Sequence, residues 1–172
     1  KGAKILGLGY PGGPEIEKHA VNGNPLKYKF TIPVVKSNIY NYSFSGLKTA
    51  LLYQIKNFEK NNTKYLLSDI ACSYQESIIN TLLSKLTLII EETKISKLSI
   101  VGGVAANKRF RYKADLLKDK FDLDIIFPEM KYCTDNAAMI AMAGYLKYKN
   151  KNFSELTLTP NPNLSSANVW FW

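Results

Sequence analysis

The stretch Ile100-Val101-Gly102-Gly103-Val104-Ala105-Ala106-Asn107-Lys108-Arg109-Phe110-Arg111 decides how the rest of the chain is read. The apolar run Leu98 to Val101 predicts a buried strand that stops at a glycine pair. Behind it Phe110, Ala114 and Leu117 recur at the three- and four-residue spacing of a helix. Two adjacent glycines at that junction let backbone approach a ligand closely, because no Cβ intervenes. The carboxyl end of a strand in an open α/β sheet is also where ligands of such folds sit. Asn107 offers one acceptor and two donors there, or it caps the helix that follows. From this stretch alone both readings stand.

A second stretch, Pro128-Glu129-Met130-Lys131-Tyr132-Cys133-Thr134-Asp135-Asn136-Ala137-Ala138-Met139-Ile140-Ala141, follows another strand-like run, Leu123 to Phe127. Asp135 falls where a carboxylate faces a crevice, or where Thr134 or Asp135 caps the next helix. Strand, turn, helix, strand, loop and helix after Leu98 predict a parallel sheet with right-handed crossovers. The last helix, Thr134 to about Tyr148, carries the small residues Ala137, Ala138, Ala141, Ala143 and Gly144, which permit close packing. Lys147, Lys149 and Lys151 at its end suit the helix dipole.

Upstream, Gly7 to Gly13 reads as a loop, followed by a short helix from Pro14 to about Val21. Asn22 to Asn41 is polar, with strand-like pieces at Tyr28–Ile32 and Val34–Val35. Ser43 or Ser45 caps a helix running through Leu47, Leu51, Tyr53 and Ile55 to about Phe58. Lys48 near its start opposes the dipole, so it either meets a phosphate or is solvated surface. Glu59 to Lys64 is a loop. Ser68 to Thr93 is the longest predicted helix, with Ile70, Tyr74, Ile78, Leu82, Leu86 and Ile89 as its core stripe; Cys72 lies off that stripe and has no assigned role. Thr157 to Trp172 should be irregular, its apolar end Val169–Trp172 packing back or docking on something else.

Composition narrows the classes. At 172 residues and 46% hydrophobic the chain can bury a core, and no apolar run is long enough to span a bilayer. With 23 basic against 14 acidic residues the net charge is +9, which favours a polyanion partner through counterion release or simply reflects a Lys-rich surface. The single histidine, His19, rules out a His-pair metal site within the chain, and Cys72 and Cys133 lack metal-type spacing and read as free thiols.

The blocks GGVAANKRFR and CTDNAAMIA, with YPGGP at Tyr10–Pro14 and YSFSGLKT at Tyr42–Thr49 ahead of them, resemble the TsaD family in content and order. Members of that family make threonylcarbamoyladenosine in tRNA and long carried the label O-sialoglycoprotein endopeptidase. The family signatures look like GGVxANxxLR and CTDNxAMIA; the one departure is Phe110 where Leu is usual, a packing swap. The resemblance implies an ASKHA-type α/β fold (actin, Hsp70 and hexokinase relatives, ribonuclease H-like), mostly its second lobe, over residues 1–156, with 157–172 as an irregular tail. Because Lys1 is not an initiator and Lys1 to Leu6 reads as the tail of a helix, the expectation is a C-terminal portion of a longer polypeptide.

The resemblance further implies that Gly13 lies against a bound nucleoside, that Glu17 faces its ribose and that Asn107 also binds it. It implies that Asp135 joins two histidines of an HxxxH helix, outside this chain, around one divalent iron or zinc ion. No residue here is implied as a general base. The activity implied is transfer of threonylcarbamoyl from threonylcarbamoyl-adenylate to the exocyclic amine of the adenosine beside the anticodon. Implied partners are tRNA and either TsaB/TsaE-like proteins, KEOPS-like proteins or a second copy. No membrane is implied, and the compartment is the cytoplasm or an organelle. A non-catalytic ASKHA scaffold of the same modification complex is the alternative, against which the presence of both Asn107 and Asp135 argues. The older metallopeptidase label finds neither a general base nor a closed ligand set here.

Overall fold

Helix α4 (Leu67–Thr93) runs for 27 residues through the computed structural model, which describes residues 1–30 and 39–163. The longest predicted helix is therefore present, but its expected single stripe needs correction. Ile70, Ala71, Tyr74, Ile79, Leu83 and Ile90 are buried, and so are Ser73, Gln75, Glu76 and Thr81. Ile78, Leu82, Leu86 and Ile89 are only half-buried. The reason is that α4 is covered on more than one side. Near its start, α1 (Gly2–Ile5), α2 (Gly12–Ala20) and α3 (Ser45–Lys60) build a cluster in which Leu6, Ala20, Leu47 and Leu51 join Ile70 and Tyr74. Further along, Ile79 and Leu83 meet Phe110 and Ala114 of α5 (Lys108–Phe121). The buried Ser73 hydroxyl is satisfied: it donates to the Asn24 carbonyl at 2.9 Å and accepts from the Tyr28 amide at 3.2 Å.

Strands β1 (Lys97–Ser99) and β2 (Asp124–Ile126) pair in parallel with Leu98 opposite Ile125, and α5 lies between them in sequence. This is the predicted alternation, with shorter strands, but the strand expected to be buried over Leu98 to Val101 is not: Lys97 and Ser99 are exposed, Leu98 is half-buried and Val101 lies exposed beyond the strand end. The Ile100 amide still donates to the Ile126 carbonyl at 3.0 Å. Leu123 and Ile125 are buried with Ile90 of α4, against Leu98.

Three local expectations differ. Helix α2 begins at Gly12, so the glycines placed in a loop form its first turn, with Pro11 as N-cap. Pro14 is compatible with that start, since first-turn amides have no intrahelical partner. Tyr28 to Phe30 form no strand; the Tyr28 amide is spent on Ser73, and Phe30 packs edge-on to Tyr74 with ring centroids 5.4 Å apart. Helix α3 starts at Ser45 with Phe44 at the N-cap and no side-chain cap, so neither Ser43 nor Ser45 caps it. The strand-like residues 31–32 and 34–35 and the apolar end 169–172 lie outside the described residues.

The chain divides into two units. The first, residues 1–100 and 107–127, holds α1 to α5 and the sheet. The second, residues 101–106 and the chain from 128 on, holds 3₁₀ turns at Gly103–Ala106 and Met130–Tyr132 and helix α6 (Ala137–Lys149), none of whose residues is buried. Residues 157–163 form neither helix nor strand. Among the described residues no helix is long and apolar enough to cross a membrane.

The turn after α2 gives a test of this packing. A Cβ at Gly23 would stand 2.0 Å from the Ser68 carbonyl oxygen and 2.6 Å from the Cys72 Cβ. Backbone cannot yield as a flexible side chain does, so Gly23→Ala should destabilise the first unit by about 1–3 kcal/mol or more, read as a lower urea midpoint. An unchanged midpoint would mean that this turn does not rest on α4.

Candidate functional site

The first unit brings distant residues to one corner at the start of α5. Asn107 is the N-cap of that helix, with extended backbone (φ −69, ψ 120), and its Oδ1 accepts from the Phe110 amide at 2.8 Å. Its Nδ2 donates to Gln75 Oε1 of α4 at 2.9 Å. The next amide, Lys108 N–H, has no partner inside the helix and donates to Glu17 Oε1 of α2 at 2.7 Å. A carboxylate at this position also suits the positive end of the α5 dipole. The helix-cap reading of Asn107 is thus realised, and one donor and one lone pair of its amide remain unspent.

Beside this corner lies a cavity of about 520 Å³, lined by Pro14, Glu17, Lys18, Ala20, Val21, Gly23, Pro25, Cys72, Gln75, Lys108 and Arg109. Prolines, Ala20 and Val21 form an apolar side; Glu17, Gln75 and the cations form the polar one. That mixture, at a size within the roughly 300–1,000 Å³ of small-molecule sites, can hold a flat apolar ring with a few directed polar contacts. Gly13 immediately precedes the lining residue Pro14. A Cβ at Gly13 would have no atom within 4 Å, whereas one at Gly12 would press on the Ala3 Cβ at 2.8 Å. Packing among the described residues therefore accounts for Gly12 and does not account for Gly13.

Behind the corner sits a buried carboxylate. Glu76, 8% exposed, accepts two hydrogen bonds from Arg109 (3.0 and 3.1 Å) and one from Lys113 Nζ (2.5 Å), which also contacts Asn80. Burial by itself would raise the Glu76 carboxyl, but the hydrogen bonds and charges of Arg109 and Lys113 outweigh it and hold the group below the usual carboxylate range. Burial, reinforced by Glu76, pushes the Cys72 thiol up, so it lines the cavity as a thiol and not as a nucleophile. Sequence reading missed Gln75, Glu76, Arg109 and Lys113. The available signal was a polar pair interrupting an apolar helix, with two cations one turn apart on the helix after the glycine pair.

In the second unit Asn136, not Thr134 or Asp135, caps α6: its Oδ1 accepts from the Met139 amide at 3.0 Å and its Nδ2 donates to the Thr134 carbonyl at 2.9 Å. The correction follows from the backbone, since Asn136 is the residue in the extended cap conformation (φ −153, ψ 156). Asp135 is exposed and forms no hydrogen bond or ion pair among the described residues. Those residues contain no group of three His, Cys, Asp or Glu able to hold a metal ion, and His19 Nδ1 is 2.9 Å from the Glu15 carbonyl within α2. One carboxylate is not a metal site, so the residues present do not by themselves fit a bound ion. Gly102, with φ +89, takes the left-handed backbone that makes glycine necessary there.

Residues 1–142 match the family profile described as TsaD, tRNA N6-adenosine threonylcarbamoyltransferase. The chain belongs to this family. It is 47% identical over 164 residues to the protein of that name from Thermosipho africanus, an alignment covering 95% of this chain and 49% of the relative. It is 44% identical over 165 residues to the one from Thermotoga neapolitana, with 96% and 49% covered, and 40% identical over 174 residues to the one from Campylobacter fetus, with 99% and 52% covered. The chain thus spans about half the length of the curated TsaD relatives it matches. Gly13, Glu17, Asn107 and Asp135 all fall inside the matched residues.

The carboxylate behind the TsaD corner should be visible in acid. A folded-state pKa below the unfolded value makes the contribution of Glu76 complete above the unfolded value, about 4.3, and lost as pH falls through the lower folded one. Glu76→Gln, which leaves Arg109 and Lys113 without their counter-charge, should cost about 1–3 kcal/mol at neutral pH. The gap between wild-type and variant urea midpoints should stay constant above about pH 5 and narrow on further acidification. A gap unchanged down to pH 3 would contradict the ion-pair account.

Proposed function

We propose that this chain supplies the nucleoside-holding part of an enzyme that transfers threonylcarbamoyl from threonylcarbamoyl-adenylate to the exocyclic amine of the adenosine beside the anticodon in tRNA. One observation carries the reading. Glu17 of α2 and Asn107 at the cap of α5 converge beside one cavity, through the Lys108 amide and through Gln75, and the residue after Gly13 lines it. TsaD membership and the mixed α/β build with its small parallel sheet support assigning the fold to the ASKHA class, mostly the second lobe.

In this reading Gly13 leaves room for the nucleoside, and the oxygen of Glu17 not bonded to Lys108 accepts from a ribose hydroxyl. Asn107 offers its remaining donor. Lys18 and Lys108 on the cavity wall favour the phosphate of the adenylate. The attacking amine is a weak nucleophile, so alignment is what the protein contributes most. As the bond from the carbamoyl carbon to the phosphate oxygen breaks, the bond to the amine nitrogen forms, AMP leaves and the amine proton passes to solvent. The net charge of +9 supports tRNA as the polyanion partner. TsaB/TsaE-like or KEOPS-like proteins, or a second copy, complete the assembly. Asp135 is proposed as one ligand of a divalent iron or zinc ion whose other ligands lie outside this chain; no step above is routed through it. Its freedom from capping supports that assignment.

The test uses full-length enzyme carrying these residues, with threonylcarbamoyl-adenylate and unmodified tRNA, scored by mass spectrometry of tRNA nucleosides. Wild type should yield threonylcarbamoyladenosine, and a wild-type enzyme that leaves tRNA unmodified sinks the reading. Asp135→Ala should abolish product at an unchanged melting temperature. Asn136→Ala should lower stability by about 1 kcal/mol, since the cap is lost. A fully active Asp135→Ala enzyme would remove Asp135 from the site.

A further inference from the structure

Gln75 sits midway along α4 at 9% exposure, and its surroundings dictate which way its amide faces. The Phe110 N–H can only donate, so the Asn107 atom 2.8 Å from it is Oδ1. Asn107 Nδ2 is then the other end of that amide and can itself only donate. The Gln75 atom 2.9 Å from it is therefore Oε1. That leaves Gln75 Nε2 with two N–H groups, and among the described residues no acceptor meets them. Fully enclosed side-chain nitrogens and oxygens there all have partners, so Nε2 keeps an opening, and the cavity shared with Pro14, Glu17 and Lys108 is what Gln75 lines. A side-chain amide nine-tenths buried, with its donors unspent among the described residues at a cavity wall, is placed to donate to acceptors in that cavity, water in the free protein and a ligand when one is bound.

We infer that Gln75 is a further residue of the nucleoside site, with two tasks. Its Oε1 locks the Asn107 amide in the orientation that turns the spare Asn107 N–H outward, and its Nε2 donates to an acceptor of the nucleoside in the cavity, a ring nitrogen or sugar oxygen. The inference rests on the nucleoside reading above and sharpens it: donors line the Gln75 side of the cavity and an acceptor lies on the Glu17 side. A bound nucleoside must present the complementary pattern.

The experiment is equilibrium binding of adenosine to the full chain by calorimetry, with melting temperatures and side-chain amide exchange by NMR. Gln75→Glu keeps an acceptor for Asn107 and loses the donor; its affinity should fall about tenfold, one lost hydrogen bond. Gln75→Met loses both, and its affinity should fall further, toward that of Asn107→Ala. One Asn107 Nδ2 proton should exchange slowly in wild type and Gln75→Glu but quickly in Gln75→Met, which reads the contact to Asn107 alone. Loss of affinity in Gln75→Glu, where that contact is kept, is the result a purely structural Gln75 would not produce. Wild-type affinity in Gln75→Glu and Gln75→Met, with Asn107→Ala impaired, overturns the inference and leaves the nucleoside reading standing. Absence of adenosine binding by wild type at millimolar concentration overturns both. If Gln75→Met does not fold, the near-isosteric Gln75→Glu decides through its lost donor.

Discussion

The position of the site depends on one buried charge. Glu76 leaves water on the inner side of α4, and Arg109 and Lys113 of α5 compensate it with three hydrogen bonds. Arg109 and Lys113 stand one turn apart, so both can reach one carboxylate only at a single rotation of α5 about its axis. The residues that follow each of them, Phe110 and Ala114, then enter the cluster around Ile79 and Leu83. Ion pair and apolar packing thus select the same orientation of one helix. A buried ion pair is weak evidence for stability, because a well-packed apolar replacement can be as stable. What an apolar replacement would not reproduce is the register, and the register sets Asn107 and the Lys108 amide against Gln75 and Glu17.

The cavity beside that corner is asymmetric in a way that matters for chemistry. Its apolar side comes from α2 and the turn behind it, which Gly23 keeps flush against α4. Its polar groups come from Glu17 and Lys18 of α2, Gln75 of α4 and the first turn of α5. Glu17 ties α2 to α5, spending one oxygen on the Lys108 amide and keeping the other without a partner among the described residues. Gly13 lies at the edge with open space where a side chain would be. A glycine with open space at its Cβ position leaves room for close approach of another group to the backbone.

Much of the architecture was legible because it follows from period. Helices α4 and α5 and the strand on either side of α5 come from apolar spacing that survives in a single sequence. The resemblance to TsaD named Gly13, Glu17, Asn107 and Asp135, and the structure draws Glu17 and Asn107 to one corner of the first unit. The pairing of Gln75 and Glu76 was not legible: a polar pair in an apolar helix marks them, but their partners lie more than thirty residues away and no local pattern encodes a pairing between helices. The α4 stripe is only part of the buried surface for a related reason. Ile70, Tyr74, Ile78, Leu82 and Leu86 do pack on the core, but a helix covered on two sides buries further residues, polar ones included, and periodicity assumes one buried face. Tyr28 to Phe30 have strand-like composition, yet Ser73 and Tyr74 capture them, so tertiary contacts override β propensity.

The two asparagine-bearing blocks show how capping partitions residues between structure and chemistry. In the first block the residue the family resemblance names, Asn107, is itself the cap, and the bonds to the Phe110 amide and to Gln75 leave over one N–H and one lone pair of its side chain. In the second block three capping-competent residues stand in a row, Thr134, Asp135 and Asn136, and the backbone gives the task to the last. Asn136 then also holds the Thr134 carbonyl, which closes the turn across Asp135 without using the Asp135 side chain. The carboxylate is left with neither a cap nor an ion pair among the described residues. An amide that caps still has a second end to offer, whereas a carboxylate that caps gives up part of its charge to the backbone; here the neighbouring asparagine takes the cap and leaves Asp135 uncommitted among the described residues.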